Sequence, residues 1–363
     1  MIPAFVNSGS NRVNTIVVVK LRAIGDAIIA TPAIRALRQA YPSATIVVVT
    51  TPVAAPIFHH HPCVDRVWVY SKTFPTNLWA AWRVLTQIRE LKPDLVINFH
   101  ASSHSAWLSR LMGAPALVVH NHSGKNLFST IPITAPKEAK SAIERDLDAV
   151  RALGLEPQSV EPDVCVDPRD AIAAQAFFDR YGMDPERQII VAINPGASRL
   201  TKRWPLERFA ATARTLLEDP TARVVVIGGP GEEILAKRLQ AQVGDRVVTA
   251  TGFTLLQTAA VLMRCRVFIG NDAGTHHLAA ALKVPSVTVF GPELPQEWHP
   301  YALPRHEAVT RQVHCVNCGL SFCDRMECMS LISVEDVVDA VRRVLTDPSL
   351  TKPAGAVLIN PHH

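Results

Sequence analysis

Two successive series of short apolar runs, each followed by helix-like stretches, limit the fold of this chain more than any other feature. Residues 15–20 (Thr-Ile-Val-Val-Val-Lys) are continuously apolar between their ends, as in a parallel strand buried on both faces. Similar β-branched runs recur along the chain, and amphipathic stretches separate most of them. Such alternation predicts parallel, doubly wound sheets with helices on both faces.

The predicted elements fall into two groups. Strands are predicted at residues 15–20, 45–50, 94–99 and 116–120, and then at 189–194, 224–228, 246–250, 267–270 and 286–290. Helices are predicted at 26–40 and 78–91, and a last one at 333–345 with Ser333 as N-cap and Asp336 at its third position. Residues 156–170 contain three prolines and are typical of a linker between the groups.

A length of 363 residues suits two domains of roughly 150 residues each. We expect an N-terminal Rossmann-like domain over residues 13–165 and a second one over 166–332. A C-terminal helix over 333–346 is expected to pack back on the N-terminal domain. Doubly wound sheets bind ligands at the carboxyl ends of their strands, so the loops after residues 20, 194, 228, 270 and 290 should line one cleft.

Composition excludes several classes of protein. With 48% hydrophobic and 19% charged residues, the chain is globular rather than disordered. Its net charge of +5 fits an anionic substrate or an acidic membrane face but is too weak to indicate nucleic acid. No apolar run approaches the roughly 20 residues that span a bilayer, and the polar first 14 residues lack the core of a signal peptide. We therefore expect a cytoplasmic protein, with peripheral contact to the inner membrane left open.

The first segment that could carry chemistry follows the first predicted strand. Gly25 permits a tight turn there, and Asp26 stands at the expected start of a helix. One interpretation makes Asp26 a helix N-cap, which is a common role for this residue type. The other makes it a carboxylate on the wall of a cleft that acts as a general base.

The second segment follows the strand that ends at Asn194. Gly196 and its small neighbours let backbone N–H groups approach an anion, and Ser198 adds a hydroxyl. Lys202 offers a point charge to a phosphate, and Trp204 with the following proline should set the start of the next helix. A solvated basic loop is the alternative.

The third segment is a glycine-rich turn after the predicted strand 224–228. Glu232 or Glu233, the two acidic residues that follow, could hold ribose hydroxyls, by analogy with nucleotide-binding folds. The alternative is that these glutamates only favour the positive end of the next helix.

The fourth segment joins the predicted strand 267–270 to a helix. Asp272, Ala273 and Gly274 form a small-residue turn, and the helix that begins there offers free N–H groups to a diphosphate. Thr275 and His277 could add hydrogen bonds, although His277 alone could equally be a core histidine. A fifth segment, residues 290–300, is expected to shape the same cleft.

Together these segments resemble glycosyltransferase family 9, the ADP-heptose:lipopolysaccharide heptosyltransferase family. That family shows an Ile-Gly-Asp turn, an Asn-Pro-Gly and Lys-Arg-Trp stretch, an Asn-Asp-x-Gly-x-x-His turn, and a closing Phe-Gly-Pro and Trp-x-Pro stretch. All of them occur here in order, between about Ile16 and Pro300. The resemblance implies the α/β GT-B fold, in which two Rossmann-like domains with parallel sheets face a central cleft.

The resemblance also implies roles for single residues. Asp26 matches the aspartate that deprotonates the acceptor, and Lys202 matches the lysine that neutralises the donor phosphates; both count as catalytic. The expected donor-binding residues are those of the turns: Asn194, Gly196, Ser198, Glu232, Glu233, Asp272, Ala273, Gly274, Thr275 and His277.

The implied reaction is an inverting transfer of heptose from ADP-L-glycero-D-manno-heptose to the lipopolysaccharide inner core, without a cofactor or catalytic metal. The implied acceptor is lipid A–Kdo or an already heptosylated inner core. Basic side chains of the N-terminal half could contact this anionic acceptor: His59, His60, His61, Arg66, Lys72, Arg110 and Lys125. Two alternatives remain, namely another nucleotide-sugar donor and a nucleotide-binding protein without transferase activity.

Four of the seven cysteines are clustered near the C-terminus, at Cys315, Cys318, Cys323 and Cys328. Close spacing in a cytoplasmic protein favours a metal over disulfides, and zinc fits a closed structural site. Their spacing matches neither common ferredoxin pattern, which disfavours an iron–sulfur cluster. Structural zinc and free thiols are the two interpretations, and neither places the cluster in the reaction.

Overall fold

The computed structural model describes residues 13–70, 76–100, 102–120, 128–133 and 140–346, without the side chains of residues 76–81. The chain divides into two compact units, Met1–Val164 and Cys165–His363. Each unit contains one parallel sheet flanked by helices. The predicted class, α/β with two Rossmann-like parallel sheets, is therefore confirmed.

The first unit contains a five-stranded sheet with the order β3-β2-β1-β4-β5. Its strands are β1 (Thr15–Lys20), β2 (Thr45–Thr50), β3 (Arg66–Val69), β4 (Leu95–Asn98) and β5 (Ala116–Val119). Its helices are α1 (Ile24–Ile29), α2 (Thr31–Ala40), α3 (Pro56–His59), α4 (Thr76–Glu90), α5 (Ser103–Leu111) and α6 (Ala142–Arg151). The continuous apolar runs of β1, β2, β4 and β5 are almost fully buried, as expected for strands covered on both faces.

The second unit contains a six-stranded sheet with the order β11-β10-β9-β6-β7-β8. Its strands are β6 (Ile189–Asn194), β7 (Ala222–Gly228), β8 (Val247–Thr251), β9 (Val267–Asn271), β10 (Ser286–Val289) and β11 (His306–Val309). Its longer helices are α7 (Pro168–Arg180), α8 (Leu206–Leu216), α9 (Glu233–Val243), α10 (Leu255–Leu262), α11 (Gly274–Ala281) and α14 (Val334–Thr346). Two single-turn helices, α12 (Pro295–Trp298) and α13 (Glu327–Ser330), and a 3-10 turn (Leu200–Lys202) complete it.

Helix α14 packs within the second unit. It contacts α8 and strands β9, β10 and β11, and its buried face belongs to the apolar core of that unit. Ser333 and Asp336 cap its start as predicted: the Ser333 amide donates to Asp336 Oδ2 over 2.8 Å, and the Asp336 amide donates to Ser333 Oγ over 3.1 Å. Among the described residues, no helix combines the length and the apolarity needed to cross a membrane.

The single helix predicted at 26–40 is wrong, because the chain forms two helices that divide at Ala30. Pro32 has no N–H to donate to Ile28, and its ring excludes the Ile28 carbonyl from the helical position. The hydroxyl of Thr31 donates to that carbonyl instead, over 2.8 Å. A proline near the middle of an amphipathic pattern thus ends one helix and begins another.

Candidate active site

The second unit brings two asparagines together at the point where its strand order reverses. Asn194 ends β6 and Asn271 ends β9, and these two strands are neighbours although they are far apart in the chain. Both side chains are buried. In doubly wound sheets the crevice at such a switch point, at the carboxyl ends of the strands, is where ligands bind.

These amides connect the turns that follow the two strands. Asn194 donates from Nδ2 to Thr275 Oγ1 over 3.2 Å and accepts the Gly196 amide at Oδ1 over 2.7 Å. Asn271 accepts the Trp204 amide over 3.0 Å and donates to the Gly196 carbonyl over 3.3 Å. The buried Asn271 therefore fixes both ends of the 196–204 turn, and α8 begins at Leu206 as predicted.

The 196–204 turn carries Lys202 to the end of β9. Its ammonium nitrogen lies 2.5 Å from Oδ2 of Asp272 and 3.7 Å from Oε1 of Glu293, and Glu293 also pairs with Arg199. The side chains of Lys202 and Asp272 are only 14% and 6% exposed. Two cations and two carboxylates thus share one partly buried position, where electrostatic interactions are stronger than in water. Ser198, in contrast, is exposed on the same turn.

The glycine-rich turn after β7 separates the two candidate glutamates. Glu232 accepts the Gly229 amide at Oε2 over 2.9 Å, and its carboxylate lies so close to Gly196 that a Cβ atom there would overlap it. Glu233 accepts the Gly231 amide over 3.2 Å. Glu232 is therefore the member of the pair that the fold brings against the Asn194 turn.

Helix α11 begins beside Asp272. Gly274 and Thr275 occupy its first two positions, where backbone N–H groups have no acceptor within the helix. The Ala273 amide, however, donates to His276 Nδ1 over 3.2 Å. The anion-binding N–H groups expected from the sequence are therefore those of Gly274 and Thr275, whereas that of Ala273 is already bonded inside the protein.

Two consecutive histidines of α11 are buried and neutral. His276 accepts at Nδ1, so its Nε2 carries the proton and donates to the Trp298 carbonyl over 3.1 Å. His277 lies 2.5 Å from the Tyr301 hydroxyl through Nδ1. Burial lowers the pKa of both histidines and raises that of Tyr301, so all three side chains are neutral. When Tyr301 donates in this hydrogen bond, His277 carries its proton on Nε2.

Asp272, His276 and His277 lie close enough together to be tested as a metal site, since one ligand atom of each lies within 4.8 Å of the others. Both ring nitrogens of His276 are already bonded to backbone groups, and Nδ1 of His277 is bonded to Tyr301. Asp272 is paired with Lys202. These hydrogen bonds and the ion pair account for the closeness of the three groups without a metal.

In the first unit, Asp26 is the third residue of α1, and the N-cap of that helix is Ala23. The N-cap interpretation of Asp26 is therefore wrong, because the helix begins two residues earlier than the sequence suggested. The Asp26 carboxylate is 17% exposed and lies 3.4 Å from Arg22, so it is neither buried in the core nor freely solvated. It follows β1, which neighbours β4 at the switch point of this sheet.

A buried ion pair lies close to Asp26. Lys20, at the end of β1, places its ammonium nitrogen 2.6 Å from Oδ2 of Asp146 on α6, and both side chains are at most 5% exposed. Burial raises the pKa of Asp146 to about 6, although Lys20 opposes the rise and the charge of Asp26 adds to it. The carboxylates of Asp26 and Asp146 are therefore within electrostatic range of each other.

The basic residues proposed for the acceptor differ in their surroundings. His61 is buried and lies 3.5 Å from Asp163, so it serves an internal ion pair and not a surface. His59, Arg66 and Arg110 are exposed. Lys72 and Lys125 lie outside the described residues.

The model of one protein family matches residues 81–324, which is two thirds of the chain. That family is glycosyltransferase family 9 (heptosyltransferase). The chain belongs to glycosyltransferase family 9.

Members of the family resemble this chain over most of its length. Lipopolysaccharide heptosyltransferase 3 of Escherichia coli is 25% identical over 91% of this chain and 98% of its own. Lipopolysaccharide heptosyltransferase 1 of Pseudomonas aeruginosa is 30% identical over 77% and 79%. The solved structure of E. coli ADP-heptose lps heptosyltransferase II superposes with a TM-score of 0.75 at 20% identity, covering 91% of this chain and 98% of that one. The protein is thus a glycosyltransferase with the fold of the heptosyltransferases.

The four clustered cysteines of this family 9 enzyme surround one small cavity. Cys315, Cys318, Cys323 and Cys328 all line a space of about 60 Å³, and all seven cysteines of the chain are thiols. Burial raises the pKa of Cys328, and the other three thiols add to the rise. The fold therefore gathers all four sulfur atoms within electrostatic range of one another.

Several residues of this family 9 site were not singled out from the sequence. Asn271 and His276 lie inside a motif, but the sequence does not show whether their side chains support the fold or bind a ligand. Lys20 did carry a signal, because a lysine ends an otherwise apolar buried strand. Glu293 and Asp146 reach their partners only through the fold, over 91 and 126 positions of sequence for the pairs with Lys202 and Lys20.

Proposed function

We propose that this glycosyltransferase moves a heptose from ADP-heptose to the inner core of lipopolysaccharide, with inversion at the anomeric carbon and without a metal. The names of its relatives support the acceptor and the sugar, since those proteins are lipopolysaccharide heptosyltransferases. The donor is supported by the name of the structural neighbour, an ADP-heptose enzyme. The single observation that carries the chemistry is the placement of Lys202 and Asp272 together at the switch point of the second sheet.

In the proposed complex, the diphosphate lies between Lys202 and the start of α11. The ammonium group of Lys202 supplies positive charge, and the free N–H groups of Gly274 and Thr275 add hydrogen-bond donors. His277 is neutral, and in the tautomer that accepts from Tyr301 at Nδ1 it donates from Nε2. These donors would stabilise the charge that develops on the diphosphate as ADP leaves, which is the task a metal ion performs in other transferases.

Asp272 has a different proposed partner. Its carboxylate repels a diphosphate, so it is suited to the hydroxyl groups of the heptose, which can donate to it. Glu232 is suited to the ribose hydroxyls for the same reason, by analogy with the acidic residue of other nucleotide-binding folds. Asp272 would then bind the sugar on one side of the diphosphate, and Glu232 would bind the nucleoside on the other side.

Asp26 is proposed as the general base. The acceptor oxygen attacks the anomeric carbon, its proton passes to the Asp26 carboxylate, and the bond from the anomeric carbon to the diphosphate oxygen breaks with its electrons going to ADP. Attack from the face opposite the leaving group inverts the anomeric centre. The Lys20–Asp146 pair is proposed to hold the first turn after β1, and thereby Asp26, in place.

The proposed acceptor is lipid A–Kdo or an already heptosylated core, reached from the cytoplasmic face of the inner membrane. Exposed basic side chains such as Arg66 and Arg110 suit its anionic groups, and the net charge of +5 suits an acidic membrane surface. Binding at the surface requires no membrane-spanning helix.

Calorimetry with ADP, GDP and UDP on the purified protein in a chelator-containing buffer tests the donor assignment. We expect ADP to bind at least about tenfold more tightly than GDP or UDP, since the proposed donor carries adenine and the three nucleotides share the ribose and the diphosphate. Preference for UDP or GDP would leave a transferase with a different donor. Tight ADP binding with no transfer to any core acceptor would favour the third candidate, a nucleotide-binding protein.

A further inference from the structure

The segment between β11 and α13 is long and irregular. Residues 310–326 contain no helix or strand, and their apolar side chains are largely exposed, with Leu320 at 51% and Phe322 at 72%. A loop of this length without regular structure inside a compact unit is uncommon and usually has a function of its own. Burial of apolar side chains therefore does not account for the conformation of residues 310–326.

The cysteines occupy the turns of this segment. Asn317 and Gly319 have φ values of +62° and +65°, so the chain turns tightly on both sides of Cys318. Met326, with a φ of +44°, turns the chain again, and its amide donates to Cys323 Sγ over 3.4 Å. An N–H group directed at a cysteine sulfur stabilises the thiolate form, which is the form that binds metal.

The four sulfur atoms line one cavity of about 60 Å³ but do not meet. No three of them lie within 4.8 Å of one another, whereas sulfur atoms around a zinc ion lie about 3.8 Å apart, given zinc–sulfur distances near 2.3 Å. Binding of one ion would require the four sulfur atoms to draw closer together. Four thiols around one cavity match the donor set of a closed structural zinc site.

The same loop is bonded to the turn that carries Lys202. Thr201, which is buried, donates its hydroxyl proton to the Leu320 carbonyl over 2.8 Å, and Arg199 donates to the Gly319 carbonyl over 3.2 Å. Thr201 also lines the cysteine cavity. The residue directly before Lys202 is thus fixed by the backbone of the cysteine loop.

The loop is bonded in the same way to the turn that carries Glu293. The Asn317 amide donates to the Pro292 carbonyl over 2.7 Å, and Pro292 lines the cavity. A Cβ atom at Gly291 would overlap the side chain of Met329. The cysteine loop therefore contacts the turns of both Lys202 and Glu293, whose charged atoms lie 3.7 Å apart.

We propose that Cys315, Cys318, Cys323 and Cys328 bind one zinc ion as thiolates, and that this ion holds the cysteine loop as a positioning element for Lys202. Binding releases the protons of the four thiols and leaves a complex of net charge −2. The ion takes no part in group transfer. The effect on Lys202 rests on the proposed donor site, whereas the zinc site itself does not.

Metal analysis of the full chain, purified without added metal or chelator, tests the site. We expect about one zinc per chain, and thiolate-to-metal charge-transfer absorption once cobalt replaces it. Cys318→Ser and Cys323→Ser should lose both signals, whereas Cys265→Ser, which changes a buried cysteine outside the cluster, should keep them. A chain without a thiolate-bound metal would overturn the proposal, and iron in place of zinc would overturn the assignment of the ion.

Thr201→Val tests the connection to Lys202 without touching a cysteine. Loss of one hydrogen bond to Leu320 should weaken ADP binding roughly three- to tenfold while the zinc content stays at about one per chain. Removal of zinc by a strong chelator should weaken ADP binding at least as much, with far-UV circular dichroism to verify that the unit stays folded. Unchanged ADP affinity after both changes would refute the positioning role. A wild-type chain that holds zinc but binds no ADP would instead contradict the proposed donor site.

Discussion

The ammonium nitrogen of Lys202 lies 2.5 Å from the carboxylate of Asp272, across two turns that are 70 residues apart in sequence. Lys202 lies on the turn after β6, and Asp272 directly follows β9. The buried Asn194 and Asn271 connect these turns. The cation of the site is thus held in place and balanced by a carboxylate. A diphosphate bound as proposed would compete with Asp272 for Lys202, so the two residues should respond differently to substitution.

Lys202→Met should weaken ADP binding by roughly 10- to 100-fold, because it removes a charged hydrogen bond to the diphosphate. Asp272→Asn should leave ADP affinity unchanged or improved, since it removes a competing carboxylate, but should weaken binding of the whole nucleotide sugar. Calorimetry with ADP and with the intact donor separates these effects. Lys237→Met, an exposed lysine on α9, is the matched control and should behave as wild type. Equal loss of ADP affinity in both site variants would contradict the division of roles.

Gly196→Ala should keep the fold but weaken ADP binding by roughly tenfold. The new Cβ would overlap the Glu232 carboxylate, which is the flexible end of a side chain and can move away at little cost to stability. Glu232 would then be displaced from the proposed ribose position. Gly229→Ala is the control, since its Cβ would come no closer than 4.0 Å to Glu232. Similar ADP affinities for the two variants would argue against a role for Glu232.

Asp146→Asn should destabilise the first unit by about 3–5 kcal/mol, because it leaves the buried ammonium of Lys20 without its partner charge. Asp148→Asn, on the same helix but in ion pairs that are partly exposed, should cost about 1 kcal/mol or less. Urea unfolding monitored on the purified variants measures both. A small effect of Asp146→Asn would show that Lys20 finds another partner or loses its charge.

The His61–Asp163 pair predicts a loss of stability at alkaline pH. Burial opposes the charge of His61, but its interactions with Asp163 and Cys63 together outweigh burial and raise the pKa to about 9. Since this value lies above the unfolded pKa of 6.5, the stabilisation is complete below pH 6.5 and is lost as the pH rises through about 9. The decrease should be on the order of 3 kcal/mol.

Urea unfolding of the wild type between pH 6 and pH 10 measures this decrease. His61→Gln should flatten the profile over that range, whereas His59→Gln, at an exposed position, should keep the wild-type slope. A wild-type profile without a slope would mean that His61 is neutral in the folded chain.

Sequence patterns predicted the elements whose physical cause is local. Continuous apolar runs marked the buried central strands within about two residues at each end. The two strands that were missed, Arg66–Val69 and His306–Val309, lie at the edges of their sheets, where one side has no neighbour and a polar residue is tolerated. The short segment Arg-Val-Trp-Val is half exposed and has no period that separates it from a loop.

The sequence predicted which turns form the candidate site but not how their residues contact one another. The turns after β6, β7 and β9 were found because small residues and charges follow apolar runs. Which glutamate of the 232–233 pair reaches the site depends on its contact with Gly196, 36 residues away, and no local pattern encodes that contact. The partner of Lys202 was hidden for the same reason, although both members of the pair had been selected separately.

The cysteine cluster was predictable only in part from the sequence. Spacing alone left zinc and free thiols as equal interpretations, because it does not reveal whether four thiols meet. The fold gathers them around one cavity and bonds their loop to the turn of Lys202, which the spacing could not indicate.

The most direct test of the central claim is transfer itself. Purified protein is incubated with ADP-heptose and heptose-deficient core acceptors in the presence of a chelator too weak to extract thiolate-bound zinc, and the product is analysed by mass spectrometry and by NMR of the new anomeric centre. We expect a heptosylated acceptor of inverted configuration with release of ADP, and a rate roughly 100- to 10,000-fold lower for Asp26→Asn at unchanged ADP affinity. Absence of transfer to every core acceptor, or full activity of Asp26→Asn, would contradict the account.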